Sequence, residues 1–221
     1  MAAALVFAAA PTEPTPRLTA RLAALDSPLV IAADAGASTA FAFGYTPDVV
    51  IGDLDSIAPD TLDELRRRSV PLEAFPRDKN ATDGQLAIER ALESRPDKLF
   101  LVGFLGGPRL DQALANILLL TSIEVPALLL DPQNECRLLR PRAPLSWRPE
   151  PNEVVSLIPL TPSVDGVRTA GLRWPLSSER LLLGDTRGVS NEPVGDQPVT
   201  VEHSAGLMLV TRHFPVFKLR S

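Results

Sequence analysis

Short apolar runs and amphipathic stretches alternate along the first half of the chain. Residues 4–9, 29–33 and 49–51 are apolar runs of strand length, the last stopping at Gly52. Residues 14–25 place Leu18, Leu22 and Leu25 at helical spacing, and residues 59–68 have helical content with Asp60, Asp63 and Glu64 near their start. Residues 83–93 read as a further helix through Leu86, Ala87, Arg90 and Ala91. Residues 109–121 set Leu110, Leu114, Ile117, Leu118 and Thr121 on one helical face. Strands over 98–102 and 127–130 complete the series. Strand alternating with helix predicts a parallel sheet with helices on both faces.

The pattern changes after about Asp131. Residues 140–151 are punctuated by proline and cannot form a continuous helix. Short β-type runs follow at 154–160, 166–173, 180–183, 198–202 and 206–212, separated by Gly, Pro and Asp. That is the signature of a small antiparallel sandwich or barrel. The expected organisation is therefore an α/β domain over residues 1–138 followed by an all-β domain over residues 139–221.

Composition narrows the function classes. With 221 residues, 45% of them hydrophobic and 22% charged, the chain is expected to build a packed core. A net charge of −5 and the lack of a dense Lys/Arg cluster argue against a nucleic-acid partner. A single cysteine, Cys136, excludes an intrachain disulfide and suits a reducing compartment. The apolar N-terminus lacks the basic segment of a signal peptide and reads as the first buried strand. No apolar run approaches the length of a membrane span, so a soluble, cytoplasmic protein without a membrane partner is expected.

The candidate chemistry gathers at the predicted ends of strands. Asp53 and Asp55 follow the third apolar run two residues apart, a spacing that in extended backbone puts both carboxylates on one side. Such an oxygen-only pair suits Mg²⁺. About one βα unit further on comes Asp78-Lys79-Asn80-Ala81-Thr82-Asp83-Gly84. The segments from Asp34 to Ser38 and from Gly103 to Asp111 also combine glycine with polar residues. Ligands of open parallel sheets bind at such positions. Glycine lets backbone approach a phosphate and the next helix N-terminus favours an anion. Arg109 adds a planar fork of donors, and Asp111 can assist a metal or accept a proton. Singly, each motif has a bland reading: Asp53 and Asp55 as turn or cap residues, Thr82 or Asp83 as a helix cap, Arg109 and Asp111 as a surface pair. Their joint appearance at strand ends favours metal-assisted chemistry on phosphate.

Other chemistries lack their motifs. There is no G-x-x-x-x-G-K-[ST], no G-x-G-x-x-G after a strand and no G-x-S-x-G. His203 and His213 lack ligand spacing and read as structural, and Cys136 reads as a small apolar residue. Of the two tryptophans, Trp147 is assigned to the core, while Trp174 fits either a core or a ring-stacking role.

In this order, Asp34-Ala35-Gly36-Ala37, Pro47-Asp48-Val49-Val50-Ile51-Gly52-Asp53-Leu54-Asp55-Ser56, Lys79-Asn80-Ala81-Thr82-Asp83 and Gly106-Gly107-Pro108-Arg109-Leu110-Asp111 with Leu114-Ala115-Asn116 resemble the thiamine pyrophosphokinase family. Ser156-Leu157-Ile158-Pro159-Leu160, Gly171-Leu172-Arg173-Trp174-Pro175-Leu176 and Gly188-Val189-Ser190-Asn191-Glu192 resemble its C-terminal motifs. The resemblance runs from about Leu29 to about Val210.

The resemblance implies transfer of diphosphate from ATP to the thiamine hydroxyl, giving thiamine diphosphate and AMP, with Mg²⁺ and in a homodimer with shared active sites. It implies that Asp53, Asp55 and Asp83 hold Mg²⁺ and that Lys79, Thr82 and Arg109 contact phosphate oxygens. Asp111 would orient or deprotonate the thiamine hydroxyl, and Asp34 and Asn116 would belong to the ligand-binding set. Ser190 and Asn191 would lie at the thiamine, where one subunit's β domain meets the other's α/β domain. The chain departs from the family at Asn80 where aspartate is usual, at Gln112 where histidine is common and at Ala35 where glycine is common. The glycine-rich turn after the first strand is replaced by Ala8-Ala9-Ala10-Pro11. Two alternatives stand beside this reading: a diphosphokinase acting on a hydroxymethyl pterin, and a thiamine or nucleotide sensor without catalysis.

Overall fold

A computed structural model describes residues 2–76, 78 and 80–215. The chain divides into two units, Met1–Pro132 and Gln133–Ser221.

In the first unit, strands β1 (Ala3–Phe7), β2 (Leu29–Ala33), β3 (Val49–Gly52), β4 (Leu72–Ala74), β5 (Lys98–Val102) and β6 (Ala127–Leu130) pair in the order β4-β3-β2-β1-β5-β6, all parallel. The N-terminal apolar run thus becomes β1, an inner strand between β2 and β5. Alternate side chains face opposite ways. Leu5, Phe7, Val30, Ala32, Val50, Phe100 and Val102 form one core with Leu18 and Leu22 of α1 (Pro16–Ala23), Ala37 and Ala40 of α2 (Gly36–Ala42), and Leu65 of α3 (Pro59–Arg67). Helix α4 (Asp83–Glu93) packs on β1, β2 and β3 and buries Ala87, Ile88 and Ala91. Its start is set by Thr82, whose hydroxyl accepts from the Gln85 amide at 3.2 Å. Strand β1 marks the point where the order reverses: β2 lies to one side and β5 to the other. This is the position where open α/β sheets bind their ligands.

Helix α5 (Leu110–Leu119) departs from its amphipathic pattern. None of its residues is fully buried, and Leu110, Leu114 and Leu118, one turn apart, are 80%, 54% and 46% exposed. Its apolar face is not part of the core.

The second unit is all β. Strands β7 (Asn134–Leu139), β13 (Met208–His213) and β9 (Val154–Pro159) pair antiparallel in that order. β8 (Leu145–Trp147), β10 (Ser163–Ala170), β11 (Ser177–Leu182) and β12 (Val199–Glu202) form a second antiparallel sheet, β11-β10-β12-β8. Val155, Leu157, Met208 and Val210 of the first sheet meet Val164, Val167, Leu181, Val199 and Val201 of the second in one apolar core, making a sandwich. The boundary expected after residue 138 falls inside β7, whose pairing with β13 carries the whole strand into this unit. No helix among the described residues is long and apolar enough to cross a membrane.

Candidate active site

Five segments of the first unit surround a cleft of about 540 Å³ at the C-terminal ends of β1, β2 and β5. The turn Ala8–Pro11 continues β1 and is tied to β5, since the Ala8 amide donates to Val102 O at 2.8 Å and the Ala10 amide to Gly103 O at 2.9 Å. Gly103 has a φ of +77°, and any Cβ on it would collide with the Ala8 carbonyl, so glycine is needed where the two turns close together. Asp34 follows β2, Thr82 and Asp83 open α4, and Arg109, Asp111 and Asn116 belong to the start and middle of α5.

Asp34 organises the acidic side of the cleft. Its backbone adopts φ +46°, a left-handed conformation that aspartate tolerates. Its amide donates to Ile51 O at 2.9 Å, and its carboxylate Oδ1 accepts from the Leu54 amide at 3.0 Å. The Asp83 carboxyl lies within hydrogen-bonding reach of Asp34, and the Asp53 charge is close enough to act on it. Burial is the main cause that raises the Asp34 carboxyl to about 6; the Leu54 amide works against it, and the charges of Asp83 and Asp53 add to it. Asp53 is half-buried, and its Oδ1 accepts from the Asp55 amide at 3.3 Å; Asp55 itself is exposed.

Neighbouring carboxylates, whose charges help to hold the Asp34 carboxyl above its ordinary range, suit a hard divalent cation. Among the described residues no three His, Cys, Asp or Glu side chains come together closely enough to hold a metal ion by themselves. Mg²⁺, however, is ordinarily held by one or two carboxylates together with substrate phosphates. The donor set around Asp34, Asp53 and Asp83 fits that mode.

Arg109 and Asp111, which also line the cleft, pair with each other. Arg109 Nε donates to Asp111 Oδ1 at 2.9 Å and Nη2 to Oδ2 at 2.6 Å, with both side chains largely exposed. The Arg109 guanidinium is the first cause that holds the Asp111 carboxyl down at about 2, so in this state Asp111 is a poor proton acceptor. Asn116 turns its amide inward: Nδ2 donates to Phe104 O at 2.8 Å and so fixes the loop that carries the glycines.

The structure thus brings Asp34, Thr82, Asp83, Arg109, Asp111 and Asn116 together on one cleft, with Asp53 beside Asp34. Lys79 lies outside the described residues. Ser190 and Asn191 belong to the second unit. The Ser190 amide donates to Ser156 Oγ at 3.0 Å, and Asn191 is buried with its side chain bonded to the main chain of Trp174. Ser56, Phe104 and the turn Ala8–Pro11 line the cleft without having been singled out as site residues. Only their place after strands β1, β3 and β5 marks them.

The thiamin pyrophosphokinase catalytic-domain model matches residues 21–128, and the thiamin pyrophosphokinase vitamin B1 binding-domain model matches residues 145–208. Thiamine pyrophosphokinase of Bacillus subtilis is 30% identical over 189 residues, which cover 83% of this chain and 86% of that protein. The chain belongs to the thiamine pyrophosphokinase family. Among solved structures, thiamine pyrophosphokinase from Bacillus subtilis superposes with a TM-score of 0.86 at 25% identity, covering 97% of this chain and all (100%) of that one. Yeast thiamin pyrophosphokinase shares the fold, with a TM-score of 0.78 at 17% identity over 99% of this chain and 88% of that one. Membership makes the protein an enzyme of a diphosphotransferase family.

Proposed function

We propose that this protein transfers diphosphate from ATP to the hydroxyl of thiamine, giving thiamine diphosphate and AMP, with Mg²⁺ at the acidic side of the cleft. The observation that carries this reading is the one cleft that the carboxylates of Asp34 and Asp83, the Arg109–Asp111 pair and the glycines Gly103, Gly106 and Gly107 line together. A triphosphate needs cation on one side and donors on the other. Asp53, Asp55 and Asp83 are the residues we assign to the metal, which when bound neutralises charge on the phosphates.

The thiamine hydroxyl oxygen attacks the β-phosphorus, the bond from that phosphorus to the oxygen shared with the α-phosphorus breaks, and AMP leaves with that oxygen. Arg109 turns from Asp111 onto phosphate oxygens, a cheap exchange because exposed ion pairs contribute little. Lys79 and Thr82 complete the phosphate contacts in this scheme. Freed of its guanidinium, the Asp111 carboxylate orients the hydroxyl and takes its proton. Asp34 and Asn116 hold the acidic turn and the glycine loop in place.

For the acceptor, the vitamin B1 binding-domain match over residues 145–208 and the half-exposed ring of Trp174 support thiamine. Arg173 lies 5.3 Å from the Trp174 ring centroid, so this indole face already carries a cation. A thiazolium ring is cationic and flat, and suits the same kind of surface. We read the enzyme as a cytoplasmic homodimer with shared active sites, with Ser190 near the thiamine.

The test is AMP release from ATP and Mg²⁺ with and without thiamine, with the product identified by mass. Thiamine-dependent AMP together with thiamine diphosphate is expected. Faster turnover of a hydroxymethyl pterin overturns the acceptor, and ligand binding without AMP overturns the reaction.

A further inference from the structure

Asn191 is buried, 8% exposed, and its amide is largely taken up by main chain. Oδ1 accepts from the Trp174 amide at 3.1 Å and from the Glu192 amide at 2.9 Å, which uses both lone pairs. Nδ2 donates to Trp174 O at 2.7 Å. One side chain therefore holds both backbone polar groups of Trp174. The Asn191 backbone in turn is locked to β9, with its amide and carbonyl each bonded to Val155 at 2.8 Å.

The flanks of Trp174 are fixed as well. Leu172 and Leu176 are each 5% exposed and anchor in the sandwich core, while Trp174 between them is 50% exposed. The Arg173 amide donates to Glu192 O at 2.8 Å, and the Arg173 guanidinium pairs with Glu192 at 2.8 Å. A large aromatic ring is thus presented outward on a backbone fixed from both ends. Removing Asn191 would leave two backbone groups of Trp174 without partners, at the cost that attends any unsatisfied buried polar group.

We propose that Asn191 is a positioning residue that clamps Trp174 as a preformed platform for the flat cationic acceptor, and makes no contact with the acceptor itself. This rests on thiamine as the acceptor, proposed above. A site assembled before binding does not spend acceptor affinity on ordering its own ring. The clamp therefore acts on acceptor binding and hardly at all on the nucleotide.

The test is a double-mutant cycle between Asn191→Asp and Trp174→Ala, read as KM for thiamine, KM for ATP and kcat. Asn191→Asp keeps the shape and the acceptor oxygen but replaces the donor to Trp174 O. Its KM for thiamine should rise about tenfold, the scale of one lost buried hydrogen bond, with KM for ATP moving less than about twofold. In the Trp174→Ala background the same substitution should add nothing to KM for thiamine. A second signature is the tryptophan emission of the free enzyme, which should shift in Asn191→Asp and not in Asn191→Asp with Trp174→Ala. Additive effects on KM would show that Asn191 touches the acceptor and would overturn the clamp, as would an equal loss for both substrates. If Asn191→Asp does not fold, Asn191→Ser serves in the same cycle with the same two outcomes. Failure of the thiamine reading itself shows separately, as no thiamine-dependent AMP from the unsubstituted enzyme.

Discussion

The carboxylate of Asp34 occupies the space in which a side chain on Gly52 would lie: a Cβ built there would overlap Asp34 Oδ1 and Cγ. Gly52 ends β3 with φ +152°, and Asp34 turns away from the end of the neighbouring β2 at φ +46°. Two backbone conformations that ordinary side chains rarely adopt therefore combine to place one carboxylate against the turn carrying Asp53. Gly52→Ala should displace Asp34 and break its bond to the Leu54 amide. The strained φ alone should cost at least about 1 kcal/mol. Calorimetric titration should show weaker Mg²⁺·ATP binding by tenfold or more in a protein that still folds; unchanged affinity would remove Asp34 from the site.

The Asp34 carboxyl also gives a pH signature. Its folded-state value, raised by burial from 3.8 to about 6, means that the folded protein binds the proton more tightly than the unfolded chain does. Asp34 therefore favours folding most when pH is low. That contribution is lost as pH rises from about 4 to about 6 and changes little above. Asp34→Asn should flatten this decline. In metal-free thermal melts the variant should exceed the parent by a few degrees at pH 7.5 and by less at pH 4.5, while binding Mg²⁺·ATP more weakly. A parent that melts higher than the variant at pH 7.5 without metal would contradict the assignment.

The Arg109–Asp111 pair supports a different expectation. Both side chains are exposed, so replacing either should leave the melting temperature essentially unchanged. Turnover should respond strongly, because a bidentate donor to phosphate is lost. Arg109→Ala should lower kcat/KM for ATP by about 100-fold or more, and Arg109→Lys should recover only part, since an ammonium does not reproduce the planar fork. Equal activity of the Lys variant and the parent would show that point charge alone suffices.

Much of this was legible because local pattern and final packing agree. Leu29–Ala33, Lys98–Val102 and Ala127–Leu130 are apolar runs that became strands of the parallel sheet, and Asp83–Glu93 is a helix with its own cap at Thr82. Helix α2 was not legible: Gly-Ala-Ser-Thr-Ala-Phe-Ala has no amphipathic contrast, and Ala37 and Ala40 are helical because small residues allow close packing on the sheet. Strand β7 was hidden by Glu135, a charged residue 2% exposed whose partners Arg137 and Arg212 lie on β7 itself and on β13. The spacing of Asp53, Asp55 and Asp83 pointed to an acidic site, but the central place of Asp34 depends on a contact with a glycine on the adjacent strand. Asn191 stood out by its motif, yet its work on Trp174 spans 17 residues and has no sequence signature.

The ion cluster of the second unit predicts a stability effect. Glu153 is 1% exposed, and its carboxylate accepts two bonds from Arg212, each 2.8 Å, along with the Trp147 indole at 2.8 Å and the Glu150 amide at 3.0 Å. Glu153→Leu leaves the Arg212 charge without this partner in a nearly buried position. Breaking such a pair from one side costs about 3–5 kcal/mol. Urea melts should show that loss, and Arg212→Met together with Glu153→Leu should recover part of it. A loss below about 1 kcal/mol, the range of exposed pairs, would mean that water reaches the pair.

Removal of the metal separates the roles of the acidic residues. Asp83 and Asp53 act on Asp34 through their charge, and Mg²⁺ bound there would relieve that repulsion and bring the phosphates in with it. Chelation should abolish AMP release, and added Mg²⁺ should restore it. Asp53→Asn keeps the shape and a neutral oxygen that can still accept from the Asp55 amide, so the fold should survive with a melting temperature near that of the parent. Turnover should nonetheless fall by about 100- to 1,000-fold, the scale seen when one essential electrostatic group is removed. The half-saturating Mg²⁺ concentration should rise as well, because one negative charge has gone from the site. Asp55→Asn should act in the same direction but more weakly, since the Asp55 side chain is exposed whereas Asp53 is half-buried and acts directly on Asp34. Near-normal turnover in Asp53→Asn at low Mg²⁺ would move the metal to Asp34 and Asp83 alone.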